Sequence, residues 1–238
     1  MAVDVMADYR LDKYLALNGI GTRSQVKDMI KKGRIRINGE PAKKPEQKIN
    51  PDTDLVAVDG QNLSFSEQVY YMLHKPAGVI TATEDKHHKT VLDLLDDKRT
   101  DLFPVGRLDI DTEGLLLITN DGETGHRLLS PKRHVDKIYY VETDLPIPAD
   151  AKEKMAAGMD LGDFTSMPAD LEVLGETTAK LTIHEGKFHQ VKRMFEAVGT
   201  TVVYLKRLSM GPLVLDESLE KGAYRRLIEA EIEAIKKI

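Results

Sequence analysis

The chain has 238 residues, 41% hydrophobic and 31% charged, with a formal net charge of −5. That length supports one large or two modest domains, each with its own core. The absence of cysteine excludes a disulfide framework, a thiol nucleophile and cysteine-held metals. No apolar run of about 18 residues marks a membrane span. The opening MAVDVMADYR lacks the basic and apolar regions of a secretory signal, so a cytoplasmic location is expected.

Charge is distributed unevenly. Residues 10–48 carry eleven Lys and Arg against four Asp and Glu, a net +7 that leaves −12 for the rest. A basic module on an acidic body points to a polyanion partner; the plainer alternative is a solvated helix face. RLDKYLALNGI predicts a helix with Leu11, Tyr14, Leu15 and Leu17 at helical spacing and a stop near Gly19. TRSQVKDMIKKG predicts a second helix, capped by Thr22 or Ser24, with Val26, Met29 and Ile30 inward and an end at Gly33. RIRINGEPAK alternates with strand period and turns at Asn38-Gly39, and DLVAVDGQNL repeats that pattern. Residues 1–60 therefore read as a small α/β module, 61–68 as a linker, and 69–238 as a second domain.

In the second domain, VYYMLHKPAGVITAT reads as strand, turn, strand. Its Lys75-Pro76-Ala77-Gly78 is a turn signal with no chemistry of its own. TVLDLL is a short helix, and Leu115–Thr119 is a strand ending in a turn at Asn120-Asp121-Gly122. DKIYYVETD, GMDLGDFTSMPADLEVLG and TAKLTIHEG supply further strands. FHQVKRMFEAVG is an amphipathic helix ended by Gly199, TTVVYLKRLSMGPLVLD is strand-rich, and RRLIEAEIEAIKKI closes the chain as a helix. Many strands without regular βαβ alternation indicate an α+β fold with a mostly antiparallel sheet.

One stretch concentrates chemistry: VGRLDIDTEGLLLITNDGETGHRL. Asp109, Asp111 and Glu113 alternate directly before an apolar run. Carboxylates there need partners, and the pattern admits a metal site, a turn, a salt-bridge network or a nucleophile. The histidines are scattered without metal-ligand spacing, so no metal is expected. Phosphate-cradle and GxSxG motifs are absent. Sparse aromatics and no tryptophan argue against a sugar cleft. Arg107 and Asp109 lie two apart and would share a face on a strand. A reactive carboxylate there needs a cation, and EGKFHQVKRMF offers Lys187, Lys192 and Arg193. The competing reading is an ion pair that fixes the fold. Tyr139 and Tyr140 alternate across a strand; packing competes with stacking on an extruded base.

GRLDIDTEGLLLITNDG, HKPAG, KIYYV and EGKFHQVKRMFEAVG together resemble the RsuA family of ribosomal RNA pseudouridine synthases. RLDKYLALNGIGTRSQVKDMIKKGRIRING resembles the S4 RNA-binding domain. The resemblance implies an S4-type α/β domain followed by a catalytic domain with a mixed, largely antiparallel sheet and flanking helices. It makes Asp109 the catalytic carboxylate and Lys192 its basic partner, where many relatives carry arginine. It puts Arg107 at the displaced nucleotide and Leu205 beside the base. Tyr139 becomes the stacking tyrosine, and Tyr140 a structural one. Phosphate contacts are then expected from Arg10, Lys13, Arg23, Lys27, Lys31, Arg34 and Arg36. The implied activity is isomerisation of a uridine in 16S ribosomal RNA by a monomer that needs no cofactor. The alternatives are a large-subunit (23S) enzyme of the same family and a non-catalytic RNA-binding assembly factor.

Overall fold

The computed structural model describes residues 9–18, 20–50, 53–63, 68–97 and 99–238. The expected helix stop at Gly19, the side chain of Leu17, most of the opening decapeptide and residues 64–67 of the expected linker lie outside them. The chain divides into two compact units, Met1–Gln68 with Asp97–Leu102, and Val69–Asp96 with Phe103–Ile238. Among the described residues no helix is long and apolar enough to cross a membrane.

The first unit begins with a two-residue strand, Tyr9–Arg10, paired antiparallel with Lys48–Ile49, and continues into α1 (Leu11–Leu17) and α2 (Arg23–Lys31). Thr22 caps α2 in a capping box: its side chain accepts from the Gln25 amide, while Gln25 Oε1 accepts from the Thr22 amide at 2.8 Å. Val26 and Ile30 are buried, and Met29 packs against the same cluster. A four-stranded antiparallel sheet follows, from β1 (Ile35–Ile37), β2 (Glu40–Pro41), β3 (Val56–Val58) and β4 (Gln61–Leu63). Ile35 and Ile37 face the core and Arg36 faces solvent, as strand alternation requires. Asn38 and Gly39 both take positive φ, the geometry of the hairpin turn. The expected linker needs correction at its start. Residues 61–63 pair with Val56–Val58 because the turn at Asp59-Gly60 folds them back onto β3.

The second unit is built on a mixed sheet of nine strands among the described residues. In chain order it contains β5 (Tyr70–Lys75), β6 (Phe103–Val105), β7 (Glu113–Thr119), α3 (Gly122–Leu129) and β8 (Lys137–Thr143). Then come α4 (Ala151–Ala157), β9 (Asp170–Val173), β10 (Thr178–Ile183) and α5 (Gln190–Ala197). It closes with β11 (Val202–Met210), β12 (Leu213–Val214), β13 (Tyr224–Arg226) and α6 (Glu229–Lys236). The main path runs β9-β10-β8-β11-β7-β5-β13, with β12 on β11 and β6 on β7. All these pairings are antiparallel except β11 with β7, which is parallel.

That parallel junction joins two apolar clusters. One packs α4 and α5 on β8, β10 and β11 through Val141, Met155, Leu181, Met194 and Phe195. The other packs α3 and α6 on β5 and β7 through Met72, Leu115, Leu117, Leu128 and Ile235. At the junction Gly114 takes φ +105° opposite Arg207. A Cβ there would sit 2.2 Å from the Arg207 carbonyl oxygen, so only glycine allows the strands to meet.

Several local expectations change. Asn120-Asp121-Gly122 is the entry to a helix, since Asp121 caps α3 by accepting from the Glu123 and Thr124 amides. The α4 helix was not apparent in the sequence. Arg107 and Asp109 do not lie on a strand; both belong to the loop between β6 and β7. After Gly78 the chain makes a single bridge, Ile80 to Thr90, instead of a strand.

Candidate active site

The loop before β7 carries Arg107, Asp109 and Asp111, and it is held rigidly. Lys75, fully buried at the end of β5, points its ammonium at backbone carbonyls. It donates to Asp109 O at 3.0 Å, Thr112 O at 2.9 Å and Pro76 O at 3.0 Å. Ile110 O lies slightly farther away at 3.4 Å and accepts the Gly78 amide at 2.7 Å. Thr81 Oγ1 donates to Leu108 O at 2.7 Å and accepts the Leu108 amide. Burial pushes the Lys75 ammonium down to about 8, against the pull of Asp111, Asp109 and Glu113. HKPAG is therefore more than a turn: its lysine clamps the acidic loop.

The clamp presents Asp109 to α5. Lys192 Nζ sits 3.2 Å from Asp109 Oδ2 and 2.6 Å from Asp111 Oδ1. Burial alone would lower the Lys192 ammonium, but Asp111 and Asp109 outweigh it and hold it above the usual lysine range. Burial likewise raises Asp111, but the hydrogen bond and charge of Lys192, with smaller contributions from a backbone amide and His189, together hold it below the usual carboxylate range. His189, in the left-handed region at the start of α5, places Nε2 3.5 Å from Asp109 Oδ1. Glu113, third acid of the alternation, turns elsewhere: Tyr204 donates to it at 2.7 Å and Lys221 pairs with it at 2.7 Å.

Adjacent strands supply the floor. Tyr139 and Arg207 are register partners across β8 and β11, and so are Val141 and Leu205. Lys137, Tyr139, Leu205 and Arg207 are all buried. Burial, with Arg207 nearby, pushes the Lys137 ammonium down to about 8. Arg207 Nε donates to Leu115 O at 2.8 Å, while its Nη2 is buried without a hydrogen-bond partner. These side chains line an open cleft of about 910 Å³ together with Arg107, Asp109, Phe188, His189 and Lys192.

The structure thus gathers Arg107, Asp109, Tyr139, Lys192 and Leu205, residues spread over 99 positions, in one cleft. Arg107 is exposed and makes no ion pair or hydrogen bond among the described residues. Tyr140 lies off the cleft and donates to Glu142. The sequence reading missed Lys75, Lys137, Arg207 and His189. Lys137 and Arg207 were legible only as their i,i+2 spacing from Tyr139 and Leu205; Lys75 stood only in the HKPAG motif, read as a turn without chemistry. Among the described residues no His, Asp and Glu cluster is suited to a metal ion. A carboxylate held by a cation beside an aromatic and an aliphatic wall suits attack on an electron-poor carbon of a planar base or its sugar.

In the first unit, Arg10, Lys13, Arg23, Lys27, Lys31, Arg34 and Arg36 are all exposed. Arg10 pairs with Asp12 at 2.8 Å, Arg34 pairs with Asp59 at 2.5 Å, and Arg36 donates to Gly39 O.

Comparison with known proteins bears on both units. Residues 10–55 match the S4 domain, and residues 69–197 match the RNA pseudouridylate synthase model. An uncharacterized RNA pseudouridine synthase of Bacillus subtilis (strain 168) is 48% identical over 230 residues, covering 94% of this chain and 96% of the relative. The ribosomal small subunit pseudouridine synthase A of Escherichia coli (strain K12) is 42% identical, covering 95% and 99%. A crystal structure of a pseudouridylate synthase superposes with a TM-score of 0.69 at 40% identity, covering 95% and 99%. On the cleft and on this near full-length similarity, the chain belongs to the RNA pseudouridylate synthase family.

Proposed function

We propose that this protein converts a uridine of small-subunit (16S) ribosomal RNA to pseudouridine, with Asp109 as the reacting carboxylate. The observation that carries the reading is the Asp109 carboxylate held 3.2 Å from Lys192, in one cleft with Tyr139 and Leu205. Similarity to enzymes named for the small ribosomal subunit supports the choice of RNA.

The reaction breaks the N1–C1′ bond, turns the uracil and joins C5 to C1′. C5 loses a proton and N1 gains one, so atoms and electrons balance without an external reactant. Asp109 serves three routes equally: attack on C1′, attack on C6, or assistance to a glycal. Lys192, 3.2 Å away, orients that carboxylate and balances its charge. The uridine first leaves its stack. Arg107, exposed and without an ion pair among the described residues, is placed to fill or hold the vacated position. Tyr139 stacks on the uracil and is the candidate acceptor for the C5 proton, and Leu205 packs against the base. The exposed cations of the first unit, Arg23, Lys27 and Lys31 foremost, grip phosphates. We assign the enzyme to the cytoplasm, where ribosomal RNA is found, and expect it to act as a monomer, since one chain supplies the whole cleft.

The test uses unmodified 16S transcript and carbodiimide-dependent reverse-transcription stops. Wild type produces a stop at a uridine. Asp109→Asn lowers the rate at least about 10³-fold, as loss of a nucleophile does. No stop with wild type, or an unchanged rate with Asp109→Asn, overturns the reading.

A further inference from the structure

Phe188 is 73% exposed, the most exposed large hydrophobic side chain among the described residues. It lines the mouth of the active-site cleft. One face of its ring stacks on His189, with centroids 3.8 Å apart and planes 19° from parallel. The opposite face meets water, with no ring or cation over it among the described residues. Phe164 nearby differs, since Lys187 and Arg193 both lie over its ring.

The segment that carries Phe188 is fixed. Buried Gln190 accepts the Lys187 amide through Oε1 at 3.0 Å and gives its own amide to Lys187 O at 3.2 Å. Its Nε2 donates to Glu185 at 3.0 Å. His189 is set in the left-handed region, with its imidazole at Asp109. The result is a pre-oriented aromatic plate standing in solvent.

We propose that the open face of Phe188 is a stacking platform for the nucleobase next to the target uridine. The proposal rests on the cleft being the site of the extruded uridine. Tyr139 and Leu205, both buried, occupy its interior and serve the target base. Phe188 is at the mouth, where the flanking nucleotide must pass. Extruding one base leaves its neighbour with an unstacked face. A plate fixed at the cleft recovers that stacking with little ordering cost. Lys187 and Arg107, which also line the cleft, suit the flanking phosphates.

Unmodified 16S and 23S transcripts are tested with wild type, Phe188→Ala, Phe188→Leu and Phe188→Trp. Turnover is read by tritium release from [5-³H]uridine and affinity by filter retention on both RNAs. Phe188→Ala raises KM and Kd about 5- to 150-fold, the range for loss of one base–aromatic stack, and leaves kcat within about 3-fold. Phe188→Trp stays within about 3-fold of wild type, and Phe188→Leu behaves like Phe188→Ala. The salt dependence of binding does not change, because no phosphate contact is removed. Phe188→Ala with wild-type KM and Kd overturns the platform, and so does rescue by Phe188→Leu as complete as by Phe188→Trp. Modification of 23S RNA alone overturns the small-subunit reading, and the platform is then scored on that RNA. If neither RNA is modified, Kd decides.

Discussion

The two units use positive charge in opposite ways. In the first, all seven candidate cations stand in solvent, and three are already engaged: Arg10 with Asp12, Arg34 with Asp59, and Arg36 with a carbonyl. In the second, Lys75, Lys137 and Arg207 are buried, and each donates to at least one backbone carbonyl. Solvated charges act through their sum and are screened by salt. Buried ones act through geometry, one atom at a time, and removing one leaves acceptors unmet. Net charge is therefore a sound guide to the S4-type unit and a poor guide to the catalytic one, whose surroundings are acidic in total.

The comparison breaks most visibly at Lys75. Lys75→Met keeps much of the volume and removes the donor to three loop carbonyls. Urea unfolding should show a loss of about 2–4 kcal/mol, the range for leaving several buried acceptors unsatisfied. Because the loop carries Asp109, kcat should fall at least about 10-fold through misplacement of the carboxylate. RNA affinity should stay within about 2-fold, since the exposed cations are untouched. A variant with full stability and full kcat would show that the clamp is dispensable.

Lys137 sharpens the same contrast through pH. Burial, then the Arg207 charge, holds its ammonium near 8, below the free-lysine value, with Asp136 and Glu185 only partly offsetting this. Between pH 8 and 10 the unfolded chain keeps a proton that the folded protein has released. The contribution of this group to stability therefore rises with pH across that window. Measured against Lys137→Met, wild type should gain on the order of 2 kcal/mol between pH 8 and 10. A constant difference across those pH values would mean that the ammonium titrates normally.

These residues also mark how far the sequence could be read. Helical spacing and capping placed α1 and α2, and strand alternation placed Ile35–Ile37 and Lys137–Thr143, because each signal is local. The family motifs marked Asp109, Tyr139, Lys192 and Leu205, and the fold brings them together. The role of Lys75 went unread because its partners in the acidic loop lie 34–37 residues away and are carbonyls, which every residue has. The loop of Asp109 looked like strand because charge alternated with apolar residues. What ended the strand was Gly106 at φ +77° together with the clamp, and alternation encodes neither. His189 was one of several scattered histidines until a positive-φ turn aimed it at Asp109.

The finest distinction lies within the first unit. Arg23, Lys27 and Lys31 make no ion pair or hydrogen bond among the described residues, whereas Arg34 is compensated by Asp59. Replacing all three of Arg23, Lys27 and Lys31 with Ala should weaken binding to unmodified 16S transcript about 10-fold at 0.15 M salt. It should also flatten the slope of log affinity against log salt by about 2, close to three lost phosphate contacts on single-stranded RNA. Arg34→Ala should change affinity less than about 3-fold and leave that slope nearly unaltered, because Asp59 already holds the Arg34 guanidinium and no phosphate contact is lost with it. Anisotropy titrations from 50 to 300 mM salt, using purified full-length variants, separate the two outcomes. A slope lost equally at Arg34 would mean that RNA displaces Asp59. The seven exposed cations would then act as one phosphate surface, and their ion pairs in the free protein would carry no information about RNA contacts.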